Sequence, residues 1–146
     1  MYKRQIKLFL NSPGGRLDIT LDIIEEMKKY NIQTIVSEID ECYSGCAVIW
    51  VHRDEVVYQE NAKVGFHVGS ISSAEYLDEL LKGHGLFGFQ TIMQNNFAYF
   101  VKYYSELPVK DPIKLAFNVA TQGFDSENFY MVDLKDAVNI IGAKII

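Results

Sequence analysis

Gln5-Ile6-Lys7-Leu8-Phe9-Leu10-Asn11 runs directly into Ser12-Pro13-Gly14-Gly15, and the next β-rich segment is Gln33-Thr34-Ile35-Val36-Ser37-Glu38-Ile39. The first stretch alternates and then turns apolar, which predicts a strand. Pro13 fixes one φ, and the two glycines accept backbone conformations that other residues resist, so Ser12–Gly15 reads as a turn. Between turn and second strand, Leu17, Leu21, Ile24 and Met27 recur every three or four residues. Glu25, Glu26, Lys28 and Lys29 lie largely off that stripe. This is an amphipathic helix over Arg16–Tyr30 with Asn31 as its stop. Strand, helix and strand in this order predict a right-handed βαβ unit with parallel strands.

The same reading extends along the chain. Asp40–Tyr43 reads as a loop. Ser44–Val51 is apolar without a decisive period, but Ser44-Gly45-Cys46-Ala47 suits a helix start. Glu55–Gln59 and Lys63–His67 read as strands, and Ala74–Leu81 and the aromatic-rich Phe87–Tyr104 as helices. Pro108 and Pro112 interrupt the pattern; Asp111–Thr121 is a helix with proline in its first turn. Met131-Val132 is a last short strand, and Leu134–Ile141 a closing helix ended by Gly142. The expected fold class is α/β: βαβ units with a mainly parallel sheet flanked by helices, in a single domain spanning 1–146.

Size and composition agree with that class. A chain of 146 residues is about one domain and buries roughly two-thirds of its unfolded surface. Hydrophobic residues at 49% and charged residues at 23% are ordinary for a globular protein. With a net charge of -5 and basic residues scattered among acids, nucleic acid is not an expected partner. No apolar run approaches the ~18 residues of a membrane span. Ile6–Leu10 is too short for a signal-peptide core, so the chain as it stands reads as cytoplasmic. Two cysteines, Cys42 and Cys46, make neither a disulfide-rich scaffold nor a zinc site, and no metal or cofactor is expected.

Three features carry chemistry. The Gly14-Gly15 turn lies at the carboxyl end of a parallel strand, where α/β sheets bind ligands, and it can offer main-chain N–H groups to a substrate carbonyl. Ser44 follows the next parallel strand at a helix start, with Gly45 as a second amide. His67 closes the strand Gly65-Phe66-His67, and a serine hydroxyl needs such a base at neutral pH. Each has a plainer reading as well: a tight turn, an N-cap serine, a buried histidine. His52 sits in a charged segment and reads as a surface residue; His84 reads as a loop residue. Cys42 and Cys46 are either small buried hydrophobes or, in an oxidising compartment, a disulfide if their Cα atoms come within about 7 Å.

Taken together, Asn11-Ser12-Pro13-Gly14-Gly15, Ser44-Gly45-Cys46-Ala47 and Gly65-Phe66-His67 resemble the ClpP-like serine peptidases of the ClpP/crotonase fold. Cys42-Tyr43-Ser44-Gly45-Cys46 is similar to the bacterial, often exported or membrane-associated branch, whose nucleophile lies in a Cys-x-Ser-x-Cys setting. The tail, with Leu134-Lys135-Asp136-Ala137 before Gly142, looks like that family's closing helix and strand.

The resemblance implies Ser44 as nucleophile, His67 as general base and Gly15, with Gly14 beside it, as the first oxyanion donor. Gly45 is the second donor. The third triad member is an acid before the closing helix: Asp125 first, Glu127 second. A peptide or protein is the implied substrate, and a homo-oligomer is left open. The family normally has a strand and helix before the Ser-Pro-Gly-Gly strand, where this chain has only about ten residues. The expectation is therefore an N-terminally truncated domain, exported or membrane-associated if a leading segment is missing. Two alternatives on the same fold are a crotonase-like acyl-CoA enzyme and a non-catalytic interaction module. A serine–lysine dyad using Lys63 is a distant third.

Overall fold

A computed structural model describes residues 4–53, 55–69 and 96–146. The expected helix 74–81, the first part of the expected helix 87–104, and His84 lie outside the described residues. Within them the chain forms a mixed α/β architecture with helices flanking mostly parallel sheets.

The opening βαβ unit forms as β1 (Ile6–Phe9), α1 (Leu17–Met27) and β2 (Ile32–Val36). β1 and β2 pair in parallel, with Ile6 opposite Ile32 and Phe9 opposite Ile35. Every residue of β2 is buried, as expected for a central parallel strand covered on both faces. The buried face of α1 is Leu17, Thr20, Ile24 and Met27, with Leu21 only partly covered.

Two features depart from the sequence reading. Glu41–Tyr43, read as a loop, is a short strand β3, and the strands divide into two sheets instead of one. The first has the order β1-β2-β4-β7, with β4 at Glu55–Tyr58 and β7 at Lys144–Ile145, all parallel. The second has the order β3-β5-β6, with β5 at Lys63–Phe66 and β6 at Tyr130–Met131. β3 and β5 are parallel, β5 and β6 antiparallel. A three-residue strand is too short to show a period, so only its partners reveal it.

Helix α2 (Gly45–Val51) joins the two layers. It touches α1, β2 of the first sheet, and β3 and β5 of the second. All its residues except Ile49 are buried, which is why its sequence shows no amphipathic stripe. Trp50 donates from Nε1 to the Val57 carbonyl at 2.9 Å, and the Thr34 hydroxyl donates to the Trp50 carbonyl at 2.7 Å. The Trp50 indole and the Thr34 hydroxyl, both buried in this junction, are thereby satisfied.

The remaining helices cover the second sheet and the C-terminal end. α3 (Asn96–Ser105) packs on α4 (Pro112–Gln122). Phe100 and Tyr104 of α3 are buried in the core while Phe97 is exposed, so the described part of the aromatic segment packs largely on the body of the protein. Asp111 caps α4 by accepting from the Lys114 amide at 3.1 Å, with Pro112 in the first turn. The closing helix starts as one α turn, α5 (Leu134–Asp136), widens to a π turn over Ala137–Ile141, and ends at Gly142 with φ 81°. Among the described residues no helix is long and apolar enough to cross a membrane.

Candidate active site

The two sheets meet where β1 ends. The Leu10 amide still bonds β2, at the Ile35 carbonyl, but Ser12 transfers to the second sheet. Its amide donates to the Glu41 carbonyl at 2.8 Å, and its carbonyl accepts from the Tyr43 amide at 3.0 Å. The Asn11 side chain accepts from the Glu41 amide as well. These bonds pin the glycine turn along β3, beside the residue that follows it, Ser44.

Gly14 has φ 102°, and its amide donates to the Ser12 hydroxyl at 3.1 Å. A Cβ at Gly14 would stand 2.7 Å from the Tyr43 carbonyl oxygen and 2.8 Å from the Ser44 Cβ. Only glycine fits both that dihedral and that approach. Gly45 is as closely held: its Cβ would meet Thr20 Oγ1 at 2.5 Å, and the Gly15 amide nitrogen lies 3.5 Å from the same point. The turn and the start of α2 thus bring the Gly15 and Gly45 backbones side by side next to Ser44.

Ser44 occupies the boundary between β3 and α2 with φ 59° and ψ -119°, and its side chain caps nothing. Such backbone is rare for a residue with a side chain and costs about 1–3 kcal/mol. Its amide bonds the Gly65 carbonyl at 2.9 Å, and its carbonyl accepts from Val48. The hydroxyl is left to face β5. There it meets His67: Ser44 Oγ and His67 Nε2 are 2.9 Å apart. The plainer N-cap role for Ser44 is therefore not the geometry present.

His67 is held from several sides. Its Nδ1 lies 3.1 Å from the main-chain carbonyl oxygen of Asp125. A carbonyl only accepts, so the proton sits on Nδ1 and Nε2 is free to accept from the Ser44 hydroxyl. The Phe129 ring stacks on the imidazole, centroids 4.2 Å apart and planes 16° from parallel. The Tyr104 hydroxyl donates to the His67 carbonyl at 2.7 Å. Burial pushes the imidazole below its ordinary pKa, opposed by the main-chain acceptors at Asp125 and Ser126 and by the Asp125 charge. The neutral form is thus favoured near pH 7.

Asp125 reaches His67 with its backbone and not with its carboxylate, which differs from a triad acid. The carboxylate accepts from the Glu127 amide at 2.9 Å, the Asn128 amide at 2.9 Å and Asn128 Nδ2 at 2.8 Å. Those bonds, the Asn128 side chain first, hold its pKa below the usual carboxylate value. Glu127 is exposed, and its amide is spent on Asp125.

Cys42 and Cys46 form a disulfide with Cα atoms 5.1 Å apart, bridging the residues two before and two after Ser44. His52, read as a surface residue, is half-buried at the far end of α2, and burial lowers its pKa. Lys63 is at the start of β5 and pairs with Glu41 at 3.4 Å. Among the described residues no three His, Cys, Asp or Glu side chains gather as a metal ion would require.

Thr20, Tyr104 and Phe129 also shape the site; from the sequence Tyr104 was read only as part of the aromatic segment, and Thr20 and Phe129 were given no role. Thr20 carried a signal, as a polar residue between the apolar positions of α1. Chemically, the arrangement can pass a proton from the Ser44 hydroxyl to a neutral imidazole beside two main-chain amides. No protein-family model matches the chain, and no curated protein matches it significantly.

Proposed function

We propose that this protein is a serine hydrolase, a peptidase of the ClpP-like kind on a ClpP/crotonase fold, acting on a peptide or protein substrate. The observation that carries the reading is the 2.9 Å contact between Ser44 Oγ and His67 Nε2, made by a serine held at positive φ. Strain of this kind persists only where surrounding structure enforces it, and it concentrates at functional sites. The acyl-CoA reading has no use for a serine–histidine pair. A non-catalytic module would leave both the strain and the contact without a purpose.

In the proposed reaction His67 Nε2 takes the Ser44 proton as Oγ attacks the scissile carbonyl carbon. The carbonyl oxygen, now negative, accepts from the Gly15 and Gly45 amides. Each such donor is worth roughly 3–4 kcal/mol of transition-state stabilisation. Collapse of the intermediate breaks the C–N bond, and His67 returns the proton to the leaving amine. Water, deprotonated by the same imidazole, then releases the acyl group from Ser44. The Cys42–Cys46 disulfide supports an oxidising location, as for an exported or membrane-associated enzyme.

The test is labelling with a fluorophosphonate probe, followed by peptide mapping. The expected result is one adduct, on Ser44, that is lost in Ser44→Ala and His67→Ala. Unchanged labelling of Ser44→Ala would remove the nucleophile assignment.

A further inference from the structure

A serine–histidine pair works only if the imidazole is fixed in one tautomer and one orientation. The carboxylate of Asp125 makes no hydrogen bond to His67: its Oδ1 accepts from the Glu127 and Asn128 amides and the Asn128 side chain of its own turn, and its charge acts on the imidazole only through space. The same turn meets His67 by other means, a main-chain acceptor at Ser126 among them. The Asp125 carbonyl oxygen lies 3.1 Å from Nδ1, and the Phe129 ring covers one face of the imidazole at 4.2 Å. Phe129 is itself braced by Tyr43, centroids 5.2 Å apart, so the stack is tied back to the residue before Ser44. The start of the segment is anchored too, by the Val68 amide on the Gly123 carbonyl at 2.7 Å.

We propose that His67 is positioned by the backbone carbonyl of Asp125 and the ring of Phe129, with the Asp125 carboxylate serving as the clamp that shapes the 125–129 turn. The inference rests on the hydrolase reading for its consequence and on geometry for its content. Phe129 and Asp125 are positioning residues, acting through His67. The imidazolium formed during attack then has a main-chain dipole on Nδ1 where a triad would offer a carboxylate.

The assignment separates Asp125→Asn from Asp125→Ala. Asparagine keeps an oxygen that accepts from the Glu127 and Asn128 amides and removes the charge. The experiment measures fluorophosphonate labelling rates and the ¹⁵N NMR tautomer and titration of His67, in the wild type and in Asp125→Asn, Asp125→Ala, Phe129→Leu and Phe129→Tyr.

The wild type is expected to show the Nδ1–H tautomer. Asp125→Asn keeps that tautomer, lowers the His67 titration midpoint because the Asp125 charge is lost, and labels faster than Asp125→Ala. Asp125→Ala and Phe129→Leu each slow labelling on the order of tenfold to a hundredfold. Phe129→Leu also raises the His67 titration midpoint, since burial is what depresses it. Phe129→Tyr restores both readouts.

A loss near 10³-fold in a folded Asp125→Asn variant would overturn the proposal in favour of a carboxylate orienter. Phe129→Leu with unaltered rate and titration would overturn the role of the ring. If wild-type Ser44 takes no label, the hydrolase reading fails, and the NMR tautomer and titrations still decide how His67 is held.

Discussion

Thr20 Oγ1 stands 2.5 Å from the point where a Cβ on Gly45 would sit, so α1 meets the start of α2 through a hydroxyl and a missing side chain. Thr20 is 3% exposed, and its hydroxyl donates to the Arg16 carbonyl at 2.9 Å, so it cannot swing aside without losing that bond. Gly45→Ala should therefore cost about 1–3 kcal/mol by overpacking. Thr20→Ala should recover at least ~1 kcal/mol of that loss in the double variant. Urea unfolding of the four proteins in the cycle measures the coupling, and a coupling near zero would mean that the two residues do not touch in solution.

Ser44 separates strain from chemistry. Both Ser44→Ala and Ser44→Gly delete the hydroxyl, and both should abolish fluorophosphonate labelling. They should differ in stability. At φ 59° and ψ -119° alanine keeps the strained backbone and glycine relieves it. Ser44→Gly is expected to be more stable than Ser44→Ala by about 1–3 kcal/mol, read as a higher Tm. Equal stability would show that the serine backbone is relaxed.

Much of the scaffold was legible, for reasons that also mark the limits. β1, α1 and β2 each carry a local signal long enough to read, respectively an alternation, an apolar stripe and a β-rich run, and the stripe of α1 is buried at Leu17, Ile24 and Met27. β3 does not, because Glu41–Tyr43 is three residues whose strand character lies in its pairing with β5 and Ser12. The division into two sheets is hidden for the same reason: partner choice is non-local. At the site, the closeness of Ser44 to His67 spans 23 positions, and it was expected from their placement at strand ends, from a serine's need for a base and from a family resemblance, not from any periodicity. That Asp125 turns its carbonyl and not its carboxylate toward His67 was not legible, since every residue has a carbonyl and side-chain chemistry says nothing of its direction. The Phe129 stack was missed because an aromatic residue near the chain's end looks the same whether it fills the core or covers an imidazole.

The environment of His67 sets the direction of a pH effect. Its ordinary pKa is 6.5, and burial lowers it. Only the neutral imidazole can accept the Ser44 proton, so labelling and turnover should persist below pH 6.5 and fail once pH drops through the depressed folded value. Stability moves in the same sense. Below 6.5 the unfolded chain takes up a proton that the folded site resists, so this contribution is complete above 6.5 and is lost as pH falls through the folded pKa. The pH profile of the Ser44 labelling rate measures the first effect. A midpoint above 6.5 would mean that the main-chain acceptors and the Asp125 charge outweigh burial at this imidazole.

The disulfide makes a different demand. Cys42 and Cys46 enclose Ser44 in a five-residue loop, so the cross-link removes little chain entropy, about 2 kcal/mol for so small a ring. Its position matters more than its size. One end is the centre of β3, and the other is the second residue of α2, so the link spans the strained junction that aims the hydroxyl at His67. Reduction, or the pair Cys42→Ala and Cys46→Ala, frees that junction to relax toward ordinary backbone. Under mild reductant the protein should remain folded, with a Tm several degrees lower, given that 1 kcal/mol shifts a domain of this size by roughly 2–8 °C. Ser44 labelling should fall by on the order of tenfold or more, and reoxidation should restore it. Circular dichroism and labelling on the same reduced sample test this. A sample that keeps full labelling after both thiols have been alkylated would show that the bridge supports the fold without aiming the serine.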